Sequence, residues 1–121
     1  MPSPPSRYQA RPVDTGSNLQ HKLEQLKHAV RQDPTDLQSY LDLGRVYMEM
    51  KYPDKALDVF LHASRMAPNE PAVHHALATL HATQKRYTEA IRECDKTVQL
   101  DPNNAEAYLE KARVCIEIQR H

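Results

Sequence analysis

"GRVYMEMKYPDKALDVFLHASRMAP", residues 44–68, opens on one of only two glycines in the chain and closes on a proline. Prolines also stand at 34 and 102, so Pro34, Pro68 and Pro102 are separated by thirty-four residues twice over. The positions between them keep the same step. The first interval reads Tyr40, Leu43, Gly44, Tyr47, then Ala56, Phe60, Ala63 and Pro68. The second, at the same offsets, reads His74, Leu77, Ala78, His81, then Ala90, Cys94, Thr97 and Pro102. A third begins with Tyr108, Lys111, Ala112 and Cys115. Counting back from Pro34, Ala29 and Leu26 fall where Ala63 and Phe60 fall, so residues 20–32 read as the second helix of an earlier unit.

Within each interval the apolar residues recur three and four apart, the spacing of one face of a helix. Gly44 with Ala56, and Ala78 with Ala90, place small residues where two antiparallel helices cross closely. Leu43, Tyr47 and Phe60 fill the space beside the crossing. Each proline follows a helix end and forbids continuation, and "DPTD", "APNE" and "DPNN" supply turn residues and N-caps for the next helix. This predicts helices over 19–32, 37–50, 54–66, 71–83, 88–100 and 105–119. A single hairpin leaves one apolar face bare, so stability requires that neighbouring pairs stack. The expected fold is all-α, a superhelix of antiparallel helix pairs. Its domain covers residues 19–121: a half unit at 19–34, full units at 35–68 and 69–102, and a terminal helix at 103–121.

The thirty-four-residue period and the small, aromatic and proline offsets resemble the tetratricopeptide repeat, with its W-x2-L-G-x2-Y…A-x3-F…P pattern. The match is close in the first full unit, where Tyr40 stands for the usual Trp, and looser in the second, where His74, His81, Cys94 and Thr97 replace larger apolar groups. The resemblance implies a concave surface lined by the first helix of each unit, holding a peptide or helical segment of another protein. The family's groove-facing offsets fall on Gln38, Leu41, Arg45, Met48 and Glu49 in the first unit. In the second they fall on Ala72, His75, Thr79, Ala82 and Thr83. In the third they are Glu106, Leu109, Arg113, Ile116 and Glu117. Arg45 and Arg113 are expected to hold a carboxylate through paired hydrogen bonds. The clamp with which some members grip chaperone C-termini is not expected: its Asn position falls on Ala76, and two of its basic positions fall on Glu106 and Glu110, which repel an acidic tail.

Composition narrows the function further. Sixteen Lys plus Arg balance sixteen Asp plus Glu, leaving no field to draw in nucleic acid or an anionic membrane. No run approaches the roughly 20 apolar residues that span a bilayer. Cys94 and Cys115 are too few for a disulfide framework and lack zinc spacing, which fits a reducing, cytoplasmic setting. No Gly-rich phosphate loop, GxSxG or HExxH is present, so neither an enzyme nor a cofactor is expected. His74, His75, His81 and Cys94 suggest a metal, but they sit at packing offsets without the close spacing a site needs, and are read as core. If the histidines are half-buried, protonation near pH 6 should loosen the second unit.

The two ends carry separate expectations. Residues 1–18, with four of the nine prolines, are expected to form a disordered tail, since they bury too little to offset ordering. Residues 105–118 place apolar groups around most of a helix, a surface that tends to find a partner. Either further repeats follow, or a second copy docks here to give a homodimer through residues 105–119. Self-assembly is therefore the alternative to peptide binding.

Overall fold

The computed structural model describes residues 15–120, with side chains from residue 18 onward. Six helices follow one another: α1 (Thr15–Gln32), α2 (Leu37–Glu49), α3 (Pro53–Met66), α4 (Pro71–Thr83), α5 (Tyr87–Leu100) and α6 (Ala105–Arg120). Their bounds fall within one residue of the expected ones, except that α1 begins at Thr15, so the last four residues of the expected tail are helical. The rest of that tail lies outside the described residues. No strand occurs among the described residues.

Helices α2 with α3 and α4 with α5 form the most extensive pairs, while α2 also meets α4 and α4 meets α6. Alternate helices therefore lie side by side, as stacking of a repeated hairpin requires.

The connections repeat with the sequence. In each turn between units a proline takes the second place, where its fixed φ suits a β-turn. The turns close through Asp36 N–H to Asp33 O (3.1 Å), Glu70 N–H to Ala67 O (3.2 Å) and Asn104 N–H to Asp101 O (3.1 Å). The Asp33 carboxylate also accepts from the Thr35 hydroxyl at 2.7 Å, which holds its pKa below the usual carboxylate value. Asp36 then caps α2 by accepting from Ser39 N–H, and Asn104 caps α6 by accepting from Ala107 N–H at 3.1 Å.

Inside each unit, the turn between helices uses a lysine in the left-handed region, Lys51 at φ 68° and Lys85 at φ 63°. Tyr52 N–H reaches Tyr47 O (2.8 Å) and Lys51 N–H reaches Met48 O (3.0 Å). Arg86 to His81 (2.9 Å) and Lys85 to Ala82 (3.1 Å) repeat the arrangement. This is a Schellman closure, which satisfies the carbonyls a helix end leaves unpaired.

The core runs along the stack. Phe60, Leu41, Leu80, Val73, Val114, Thr97 and Cys94 are its largest fully buried side chains. Ala56, Ala63, Ala78 and Ala90 are wholly buried as well, which keeps facing helices close. A β-carbon on Gly44 would meet Cζ and Cδ1 of the Phe60 ring at 2.6 and 2.7 Å. Gly44 is thus demanded by the close approach of α2 and α3.

Candidate functional site

With α2, α4 and α6 side by side, their shared face forms a hollow. A concavity of about 520 Å³ is lined by Arg45, Met48 and Glu49 of α2, by Phe60 of α3, by His75, Ala76 and Thr79 of α4, and by Glu106 of α6. An adjoining one of about 240 Å³ shares Arg45, His75 and Glu106 and adds Glu70, Pro71, Ala72, Asp101 and Asn104. A further hollow of about 240 Å³ lies at the opposite end of α4 and α6, lined by Ala82, Thr83, Tyr87, Glu110, Arg113, Val114, Ile116 and Glu117.

The expected groove residues divide accordingly. Arg45, Met48, His75, Thr79 and Glu106 are brought together, whereas Arg113 and Ile116 belong to the third, separate hollow. Gln38 is exposed and bonded to Asp42 at 3.0 Å, and neither it nor Leu109 lines these hollows. Leu41 does not face a groove at all: it is 2% exposed and belongs to a cluster with Val73, Ala76, Leu77 and Leu80 of α4. The following unit covers it. At the same offset in α6, where no described helix follows, Leu109 is 55% exposed. Glu70, Asp101, Asn104 and Tyr87 line hollows without having been anticipated. The first three stand in the proline turns just before α4 and α6, so the recurring turn offset was the available signal.

Both arginines have acidic partners on their own helix. The Arg45 guanidinium lies 3.3 Å from Asp42, and that of Arg113 lies 3.2 Å from Glu110, whose carboxylate is mostly buried. Such i, i+3 pairs are weak when exposed, yet they cancel charge locally.

Behind the groove, the unusual residues of the second unit are engaged internally. His74 is buried, with Nε2 2.8 Å from Pro68 O and Nδ1 2.8 Å from Glu93 Oε1. One repeat later, the Tyr108 hydroxyl donates to Pro102 O at 3.0 Å. A polar group at this offset thus ties α4 and α6 to the turn six residues earlier, whereas Tyr40 at the same offset of α2 packs on the His62 ring with centroids 4.7 Å apart. Burial pushes the Cys94 thiol up to about 11, with Glu110 and Asp95 adding to the effect, so it stays protonated and a poor nucleophile or ligand. Burial likewise lowers the His81 pKa, outweighing the nearby Glu93 and Glu89 carboxylates. Lys111, where the earlier units carry Leu43 and Leu77, reaches back to Asp95 on α5 at 2.7 Å. Among the described residues, no three His, Cys, Asp or Glu side chains converge to hold a metal.

Comparison with known proteins supports this architecture. Tetratricopeptide repeat family models match residues 23–80 and 71–114. The chain is a tetratricopeptide-repeat protein. A curated relative, the Protein SGT1 homolog of Oryza sativa subsp. japonica, is 29% identical over 66 residues, 54% of this chain and 18% of the relative. The repeats here thus span under a fifth of that relative's length. Among solved structures, TTC0263, a thermophilic TPR protein of Thermus thermophilus, superposes with a TM-score of 0.79 at 27% identity, covering 89% of this chain and 56% of that one. The first TPR of Spaghetti (RPAP3), bound to the HSP90 peptide SRMEEVD, gives a TM-score of 0.77 at 14% identity, covering 87% and 83%. An identity that low shows shared fold alone. No helix among the described residues is long and apolar enough to cross a membrane.

Proposed function

We propose that the concave face of α2, α4 and α6 binds a peptide or helical segment of a partner protein, as a scaffold and without catalysis. One observation carries this reading: Arg45, Met48, His75, Thr79 and Glu106, from three helices spread over more than half the chain, line a single hollow. Tetratricopeptide repeats generally mediate protein–protein interaction, and a structural neighbour holds a peptide. The repeat domain is taken as residues 19–121, with two full units between a half unit and a terminal helix. Its two free thiols suit a reducing compartment such as the cytoplasm.

Plugging the hollow tests the proposal. Met48→Arg with Thr79→Arg should abolish capture of the partner that the unaltered chain retains from a cell extract, while the circular dichroism spectrum stays unchanged. Once that partner is identified and purified, equal affinity for both forms would overturn the reading.

The outer face of α6 favours a second reading. Tyr108, Leu109 and Ile118 are 50%, 55% and 44% exposed, apolar groups on which a second copy would dock. Leu109→Glu with Ile118→Glu should then turn a concentration-dependent dimer into a monomer in light scattering. A monomer at all concentrations before substitution would exclude it.

A further inference from the structure

The acidic side chains around the central concavity add a charge preference to the proposed peptide site, a preference that rests on this hollow binding a peptide at all. Its apolar lining comes from Met48, Ala76 and the buried Phe60. Around it stand Glu49, Glu70, Asp101 and Glu106. Among the described residues, Glu49, Glu70 and Glu106 have no ion-pair partner, and Asp101 only accepts from the Asn103 N–H at 3.3 Å. Against these four carboxylates stand the Arg45 guanidinium, itself beside Asp42, and the His75 ring, while Lys22 of α1 lines an adjoining hollow with Arg45, Asp42 and Glu49. A chain with zero formal net charge has thus placed an excess of negative charge around its apolar hollow. Low-dielectric walls focus such a field, and like charge in a ligand is rejected while opposite charge is steered in and held in register.

We infer that the hollow accepts a basic segment of the partner, with Lys or Arg side chains set beside Glu70, Asp101 and Glu106 and aliphatic side chains seated on Met48 and Ala76. Acidic tails are excluded from it. The arginines at 45 and 113 serve to neutralise Asp42 and Glu110 and leave the ligand's charge to be met by the remaining carboxylates.

The test uses the full chain and three short fluorescein-labelled peptides with the same leucines, in which the intervening residues are all Lys, all Ser or all Glu. Anisotropy titrations are run on the unaltered chain and on two charge-reversed variants. One is Glu70→Lys with Glu106→Lys, in the hollow; the other is Asp58→Lys with Glu89→Lys, on exposed positions of α3 and α5 away from it. The Lys peptide should bind at least about tenfold more tightly than the Glu peptide. That preference should invert in the hollow variant, persist in the other, and weaken with added salt. Equal binding of the three peptides, or tighter binding of the Glu peptide, with either being lost on Met48→Arg with Thr79→Arg, overturns the charge preference and leaves the peptide site standing. Equal loss of the Lys peptide in both charge variants also overturns it, since that reports net charge alone. Binding of every peptide untouched by the Met48→Arg and Thr79→Arg pair overturns the site itself.

Discussion

At Gly44 a β-carbon would run into the Phe60 ring, and that ring is wholly buried, so it has little room to yield. One repeat later the equivalent pair is Ala78 and Cys94, both buried: a methyl is gained on one helix and a ring lost on the other. Gly44→Ala should therefore cost about 1–3 kcal/mol through overpacking, read by chemical denaturation. Adding Phe60→Leu should leave a double variant less unstable than the sum of the two changes, the mark of direct contact. His81 offers a second test at this scale. Its Nδ1 is buried without a hydrogen-bond partner, and burial lowers its pKa from the ordinary 6.5. As pH falls through that value, the unfolded chain takes up a proton more readily than the folded one, so stability is lost toward acid. The fall in melting temperature between pH 7.5 and 5.5 should be smaller in His81→Gln; an identical pH profile would remove His81 from the explanation.

For the helices, the punctuation between them matters as much as their apolar faces. Proline-led turns and the Asp36 cap were legible because each depends on residues a few positions apart. The left-handed lysines were not, since nothing in "MKYP" or "QKRY" marks a positive φ; the hairpin closure imposes it. An L-residue there carries strain of about 1–2 kcal/mol that glycine avoids. Lys51→Gly and Lys85→Gly should each raise stability by about 0.5–1 kcal/mol after the cost of glycine's greater unfolded freedom, and Asp36→Ala should lower it by about 1 kcal/mol. Urea denaturation checks all three. A loss of stability on introducing either glycine would show that the lysine side chain itself contributes to the turn.

In the whole molecule, each unit is held by its neighbours, and α6 is held through Ala107 and Val114, which are 0% and 1% exposed. Val114→Ala should cost about 2 kcal/mol, with amide hydrogen exchange accelerating in α6 before α2 and α3; a uniform acceleration would contradict stepwise stacking. The thirty-four-residue period, the helix bounds and the pairing of helices were determined by the sequence itself, because prolines, small residues and three-to-four spacing act over short stretches of chain. Which groove offsets are exposed was decided only by tertiary structure. Leu41 and Leu109 share an offset, yet one is buried by the following unit and the other is bare. His74 finds Glu93 on the other helix of its own pair, Lys111 finds Asp95 on the preceding pair, and the acids of two turns meet at one hollow. Burial and electrostatic balance are sums over neighbours in space, and those neighbours are supplied by the stack.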